Sequence, residues 1–184
     1  MRKVAVARWA FVVLTLLMLA ASGADKTVTD KEHAFELTFP KSWTVYGKQK
    51  GDDESVATRA CSNGSRVTAT VDCYSVKEGT TIKDLYSSKF GNLWFWLKTG
   101  EAKINDITAY QGIREEAPDK AIIKGLDGEE WEVGDIEVQR MEIYCIVAGK
   151  RGYVISFFCE KPDYEKYAKD IDAIVKSFKL IEAK

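Results

Sequence analysis

The sequence predicts an α+β fold, an antiparallel β-sheet flanked by helices. Three observations predict it. Residues 35–39, FELTF, alternate apolar and polar side chains, as a half-buried strand does. Residues 136–158 form a long hairpin pattern that is apolar on both faces, so both faces are covered. Residues 161–180 carry Tyr164, Tyr167, Ala168, Ile171, Ile174, Val175 and Phe178 at helical spacing, a full apolar stripe. Strands and helices in this order give a layered domain.

The chain opens with a basic stretch, Arg2, Lys3 and Arg8, then an apolar run from Trp9 to Ala21, then the small residues Ser22-Gly23-Ala24. This is the three-part layout of a secretory signal peptide spanning residues 1–24. The alternative is an uncleaved anchor. The 16 residues from Trp9 to Ala24 fall short of the roughly 18–20 apolar residues a spanning helix needs. Export to a periplasm or secretion is the expectation, with no stable membrane insertion after cleavage. Cleavage after Ala24 takes 24 of the 184 residues and leaves 160, residues 25–184, enough for one globular domain. Three of the 27 Lys and Arg and none of the 28 Asp and Glu lie in the leader, so the remainder holds 24 basic and 28 acidic residues, a net charge of −4. That balance speaks against nucleic-acid binding, which depends on clustered Lys and Arg on phosphates.

After the strand at 35–39, stopped by Pro40, Trp43 and Val45 begin a second short strand. Residues 49–55 are a polar loop. VATRACSNGSRVTATVDCYSV, 56–76, reads as a hairpin with Val67, Ala69, Val71 and Cys73 on one apolar face and a two-residue Asn63-Gly64 turn at its centre. Asn63-Gly64-Ser65 is also a glycosylation sequon, although the turn already accounts for these residues.

A helix over 81–98 is expected next. Ile82, Leu85, Tyr86, Phe90, Leu93 and Leu97 share an arc of about 140° at the helical angle. Thr80 or Thr81 is the N-cap and Gly100 the stop, with Gly91 tolerated inside. On this helix Trp94 and Trp96 fall at opposite edges of the apolar arc and Phe95 on the far side. Either the helix frays near Asn92 and Phe95 packs under a loop, or Phe95 is an exposed ring on a contact surface. Beyond it, residues 107–117 read as one or two strands around Gly112. Residues 117–135 read as a long loop or ragged edge. The hairpin 136–158 turns at Gly149-Lys150-Arg151-Gly152, and Pro162 and Asp163 suit the first turn of the last helix.

Three local patterns resemble the PsbP-like superfamily, which includes the extrinsic photosystem II protein, a Ran-binding relative and bacterial exported homologues. They are Phe35-Glu-Leu-Thr-Phe-Pro-Lys-Ser-Trp43, the Gly152-Tyr153-Val-Ile-Ser-Phe157 strand, and Ile174-Val-Lys-Ser177-Phe178 closing the last helix. The resemblance covers residues 33–181. It implies an α-β-α sandwich with binding and assembly roles and no catalytic residues. It carries no partner identity. The four cysteines and the acidic 127–137 stretch are not part of the pattern.

Cys61, Cys73, Cys145 and Cys159 are an even count in an exported chain, which marks them as candidate disulfide partners in any of three pairings. A turn near Gly149–Gly152 puts Cys145 opposite about residue 156 and Cys159 on the other face, so a regular hairpin does not bridge these two. Buried free thiols are the alternative. His33 is the one histidine and stands at the edge of a strand, a poor scaffold for a nucleophilic site. The cysteine spacings of 12, 72 and 14 lack the short pairs of a zinc site, and no phosphate loop appears. No cofactor and no metal is expected. Asp127, Glu129, Glu130, Glu132, Asp135 and Glu137 read as a solvated edge.

The expected function is an exported, non-enzymatic binding or assembly module that contacts a protein partner in the cell envelope or extracellular space. Trp94, Phe95, Trp96 and Trp131 are the candidate partner-binding residues, because aromatics dominate interface energetics. The second reading is a carrier of an apolar small molecule held between helix 81–98 and the sheet. A hydrolase is the least supported.

Overall fold

The computed structural model describes residues 24–49, 52, 55–91, 96–116, 122–124, 130–132 and 137–182, of which 122–124 and 130–132 by backbone alone. Residues 1–23, all but the last residue of the expected leader 1–24, lie outside the described residues. Residues 26–30, unassigned in the sequence reading, form strand β1 (Lys26–Asp30) and pair antiparallel with β2 (Phe35–Phe39). In β2 Phe35, Leu37 and Phe39 are buried while Glu36 and Thr38 are half-buried, the expected alternation. Then follow β3 (Thr44–Val45), β4 (Val56–Cys61) and β5 (Val67–Ser75).

The β4–β5 hairpin is as expected, but its turn is not the two-residue type. A 3-10 turn at Asn63–Ser65 makes a wider loop, closed by Ser62 N–H donating to the Val67 carbonyl (2.9 Å) and Val67 N–H donating to Ser62 Oγ (2.9 Å). Gly64 at φ 73° and Ser65 at φ 54° carry the reversal.

Helix α1 (Ile82–Phe90) starts where expected. Thr81 caps it: its hydroxyl accepts from Asp84 N–H while the Asp84 carboxylate accepts from Thr81 N–H, a reciprocal capping box. It ends eight residues early. Gly91 leaves the helix at φ −58°, ψ 139° while its N–H still bonds Ser87 O. A Cβ there would lie 2.0 Å from that oxygen, so Gly91 is the stop rather than a tolerated interior residue. Residues 96–104 are strand β6 (Trp96–Ile104), not helix, and pair with β7 (Ile107–Glu116), which runs unbroken through Gly112. Leu97, assigned to the helical stripe, sits at a bulge of β6 and is 64 % exposed.

Short strands β8 (Ile122–Lys124) and β9 (Glu130–Glu132) pair within the stretch read as a ragged edge. The hairpin of β10 (Gln139–Ala148) and β11 (Arg151–Glu160) follows, with Ala148 opposite Arg151. Helix α2 (Lys161–Ser177), with Pro162 in its first turn, and the short β12 (Lys179–Leu180) close the chain.

The large sheet has seven strands in the order β3-β4-β5-β11-β10-β7-β6, and β1-β2-β12 form a smaller one. Alternate residues of β10 and β11 serve two cores, as their two-faced sequence requires. One core joins Ile146, Tyr153, Ile155 and Phe157 to β2, Trp43 and the stripe Ile171, Ile174, Val175 of α2. The other joins Ile143, Cys145 and Val154 to Leu85 and Tyr86 of α1. The architecture is therefore α+β, a sheet between two helical layers.

Candidate functional site

The two faces of the large sheet are covered to different extents. Cross-strand register defines rows on the α1 face. One row runs Cys61–Thr68–Phe158–Met141–Arg114–Trp96 and the next Arg59–Thr70–Ser156–Ile143–Gly112–Thr99. Helix α1 covers only part of this lattice. Along the central strand β11, Gly152 and Val154 are buried, Ser156 is half-buried and Phe158 is 47 % exposed. A phenyl ring half in water on a central strand marks a part of the sheet face over which no layer lies among the described residues. Thr68, Thr70, Met141 and Cys61 around it are all half-buried. Thr70 and Ser156 satisfy each other at 2.6 Å, and Arg59 pairs with Asp52 at 2.6 Å. Among the described residues the open half thus carries one exposed ring amid hydroxyls, a thiol and a thioether.

At the covered end, Tyr86 packs on Trp96 (5.6 Å), Phe90 (5.8 Å) and Tyr110 (4.8 Å). A Cβ on Gly112 would come within 2.9 Å of the Tyr86 ring and 3.0 Å of the Trp96 ring, and one on Gly152 within 2.9 Å of Leu85. The space between α1 and the sheet, where the second reading places an apolar ligand, is filled at these points by Leu85, Tyr86 and Trp96. The Tyr86 hydroxyl and the Trp96 indole N–H are buried without a hydrogen-bond partner among the described residues. Burial, with Tyr110 and Cys145 nearby, pushes the Tyr86 hydroxyl up to about 12.

Of the four sequence-predicted contact aromatics, Trp96 lies in the same row as Phe158, three positions away across the sheet. Its ring packs inward, against Tyr86 and Phe90. Trp94 and Phe95 lie outside the described residues. Trp131 is placed in β9 by its backbone only. The cysteines are free, contrary to the disulfide expectation. Cys145 lies opposite Val154 and belongs to the α1 core, while Cys159 belongs to the α2 core, so the sheet itself separates them. Burial pushes the Cys73 and Cys145 thiols up to about 12 and Cys159 up to about 11. His33 is tied to Asp30 at 2.8 Å, and its carbonyl accepts from Tyr153 Oη at 2.7 Å, so it serves the β1–β2 turn.

Sequence reasoning missed one buried polar cluster on the α2 face. Glu142, 3 % exposed, accepts from Gln111 Nε2 (2.6 Å), Tyr144 Oη (2.6 Å) and Tyr164 Oη (2.5 Å). Next to it Glu115 holds Arg140 (2.6 Å) and Lys161 (2.9 Å), and the Arg140 guanidinium stacks 3.7 Å over Tyr164. Burial and Glu142 together raise the Tyr144 hydroxyl well above its usual value and bring Tyr164 to about 12. The cluster fastens the first turn of α2 to β7 and β10. Among the described residues, no group of three or more His, Cys, Asp or Glu is placed to hold a metal ion, and no helix is long and apolar enough to cross a membrane.

Similar folds are known. The solution structure of cyanobacterial PsbP (CyanoP) from Synechocystis matches with a TM-score of 0.58 at 10 % identity, over 90 % of this chain and 98 % of that one. A crystal structure from Bacteroides thetaiotaomicron matches with a TM-score of 0.55 at 11 % identity over 85 % of this chain, which spans 48 % of that protein. The Saccharomyces cerevisiae Ran-binding protein Mog1p matches at 12 % identity with a TM-score of 0.46, over 86 % of this chain and 96 % of that one. No family model and no curated protein matches the sequence. The chain has a PsbP-like fold, as its three local patterns implied.

Proposed function

We propose that this PsbP-like chain is an exported, non-enzymatic module that contacts a protein partner in the cell envelope or extracellular space, through the open half of the sheet face beside α1. The observation that carries the reading is Phe158, 47 % exposed on a central strand. Scattered apolar residues are ordinary on a protein surface, but this ring stands on the fourth of seven strands, in the middle of a sheet face rather than at its edge. Leaving Phe158 bare beside Met141 and Thr68 keeps an aromatic anchor available. The PsbP-like fold supports a binding role by resemblance. The candidates Trp94, Phe95 and Trp131 remain part of the proposal as residues to vary beside it.

The test is capture of the partner by the mature protein, wild type against Phe158→Asp. Burying the exposed half of a phenyl ring is worth about 1–1.5 kcal/mol, and a buried carboxylate adds a further penalty. Capture should fall at least about tenfold, while loss of the buried half of the ring lowers the melting temperature by only about 2–6 °C and leaves the protein folded. Unchanged capture by Phe158→Asp would move the contact elsewhere, with Phe95 next. Export is tested by the intact mass of the protein from its own host, which should correspond to a chain beginning at Asp25.

A further inference from the structure

The geometry points to a basic side chain, Lys or Arg, carried by the protein partner next to an apolar residue, as the group that seats on Phe158. This rests on the open face being the contact surface. The Phe158 ring lines an open recess of about 240 Å³ with Arg66, Thr68, Gln139, Glu160 and Asp163. Glu160 follows two residues after Phe158 and lies opposite Gln139, so register puts it on the same face as the ring. It occupies the N-cap position of α2, but its side chain makes no capping bond. Asp163 stands in the first turn of that helix. Neither carboxylate has a hydrogen-bond or ion-pair partner among the described residues. Arg66 faces them from the β5 side of the recess, so the rim carries two negative charges against one positive.

Chemistry selects the occupant. A cation above the face of a phenyl ring is attracted by the ring quadrupole. The carboxylates at the α2 end add charge complementarity on the same side. The aliphatic stem of Lys or Arg covers apolar surface while its head stays near water, which suits an open recess. An acidic side chain would meet Glu160 and Asp163 instead. Arg66 is the one cation among the residues lining the recess that could accept it.

The experiment titrates the isotope-labelled mature protein with three capped dipeptides, acetyl-leucyl-lysinamide, acetyl-leucyl-glutaminamide and acetyl-leucyl-glutamamide, at low and at high salt. Amide resonances of Thr68, Gln139, Phe158 and Glu160 report the site. The lysine peptide should bind roughly tenfold more tightly than the glutamate peptide, as expected for one cation–π contact plus exposed ion pairs. The gap should narrow at high salt. It should also narrow in the Glu160→Gln/Asp163→Asn double variant, whose retained spectrum shows that it is folded. Tighter binding of the glutamate peptide, an equal response to all three, no response at these amides, or a gap that survives the double variant would each overturn the proposal. An equal response would leave the apolar contact face standing. Unchanged partner capture by Phe158→Asp is the separate result that removes that face.

Discussion

Replacing Gly112 by alanine tests the covered end of the α1 face in a single methyl group. The new Cβ would lie 2.9 Å from Tyr86 Cε2 and 3.0 Å from Trp96 Cε3 and Cζ3. Carbon pairs rest at about 3.5–4.0 Å, so the overlap is roughly half an ångström or more against two rings at once. Neither ring can retreat alone, because they pack against each other at 5.6 Å and Phe90 backs both of them. Overpacking of this kind costs about 1–3 kcal/mol. Relief of glycine's chain entropy offsets about 0.5–1 kcal/mol. The net expectation is a loss of about 1–2 kcal/mol, or about 2–8 °C in melting temperature for a chain of this size. Gly100→Ala is the matched control. Gly100 lies in the adjacent strand opposite Gln111, and a Cβ there meets nothing within 4 Å. That variant should be as stable as wild type or slightly more so. Denaturant melts of both variants give the answer. A Gly112→Ala protein at or above wild-type stability would refute the close packing of Tyr86 and Trp96 on the sheet, and with it the filled interval under α1.

Other expectations follow from the buried polar groups. Tyr164 binds its proton more tightly in the folded chain, up to about 12, than in the unfolded chain near the usual 10, so its contribution is complete below pH 10 and is lost as pH rises toward 12. The raised thiols of Cys73, Cys145 and Cys159 add loss in the same direction above their ordinary value of 9.0. Urea melts at rising alkaline pH should show this decline, and Tyr164→Phe should make it shallower; a stability independent of pH there would contradict the cluster. Lys161's hydrogen bond, seconded by Arg140, holds the Glu115 carboxyl below its ordinary value of 4.5 against the cost of burial, so that stability is present above 4.5 and is lost as pH falls through the lowered value. Lys161→Met should flatten the acid limb of the same profile. Alkylation of the denatured chain without reductant should add four labels, and in the native chain Cys61 should react before Cys145 and Cys159, which are 0 % and 3 % exposed; two labels or none would restore a disulfide.

Much of the layering was legible because it rests on periodicity. The apolar stripe of α2 and the two-faced β10–β11 hairpin can be read directly, and together they require a cover on each side of the sheet. The end of α1 was not legible in the same way. Ile82 through Leu97 satisfy a helical arc, and the interruption is a contact between Gly91 and Ser87 O that periodicity does not contain. Strand β6 was lost with it, and Trp96 was given a helical face when it holds a sheet row. Strands β1 and β12 are short and polar, and they exist because β2 has two free edges. Phe158 was hidden for a different reason. In YVISFF, residues 153–158, every apolar residue looks equally suited to burial, and the sequence does not say how far along the sheet α1 reaches; the helix covers Val154 but not Phe158. The Glu142 cluster needed residues 111, 142, 144 and 164 to meet from three elements, and nothing in their spacing announces it.

A protein partner seated on the open half of the sheet beside α1, as proposed above, lies within reach of position 158 and out of reach of the far side of α2. The most direct measurement places a photo-reactive benzophenone side chain at position 158 and, in a second protein, at position 173 on the exposed side of α2. Both are expressed in the native host, and the adducts are compared. One dominant adduct is expected from position 158, absent at 173, and its yield should fall when Thr68→Arg is added to obstruct the neighbouring position. An adduct from position 173 alone, or one from 158 that Thr68→Arg leaves unchanged, would contradict this placement of the partner.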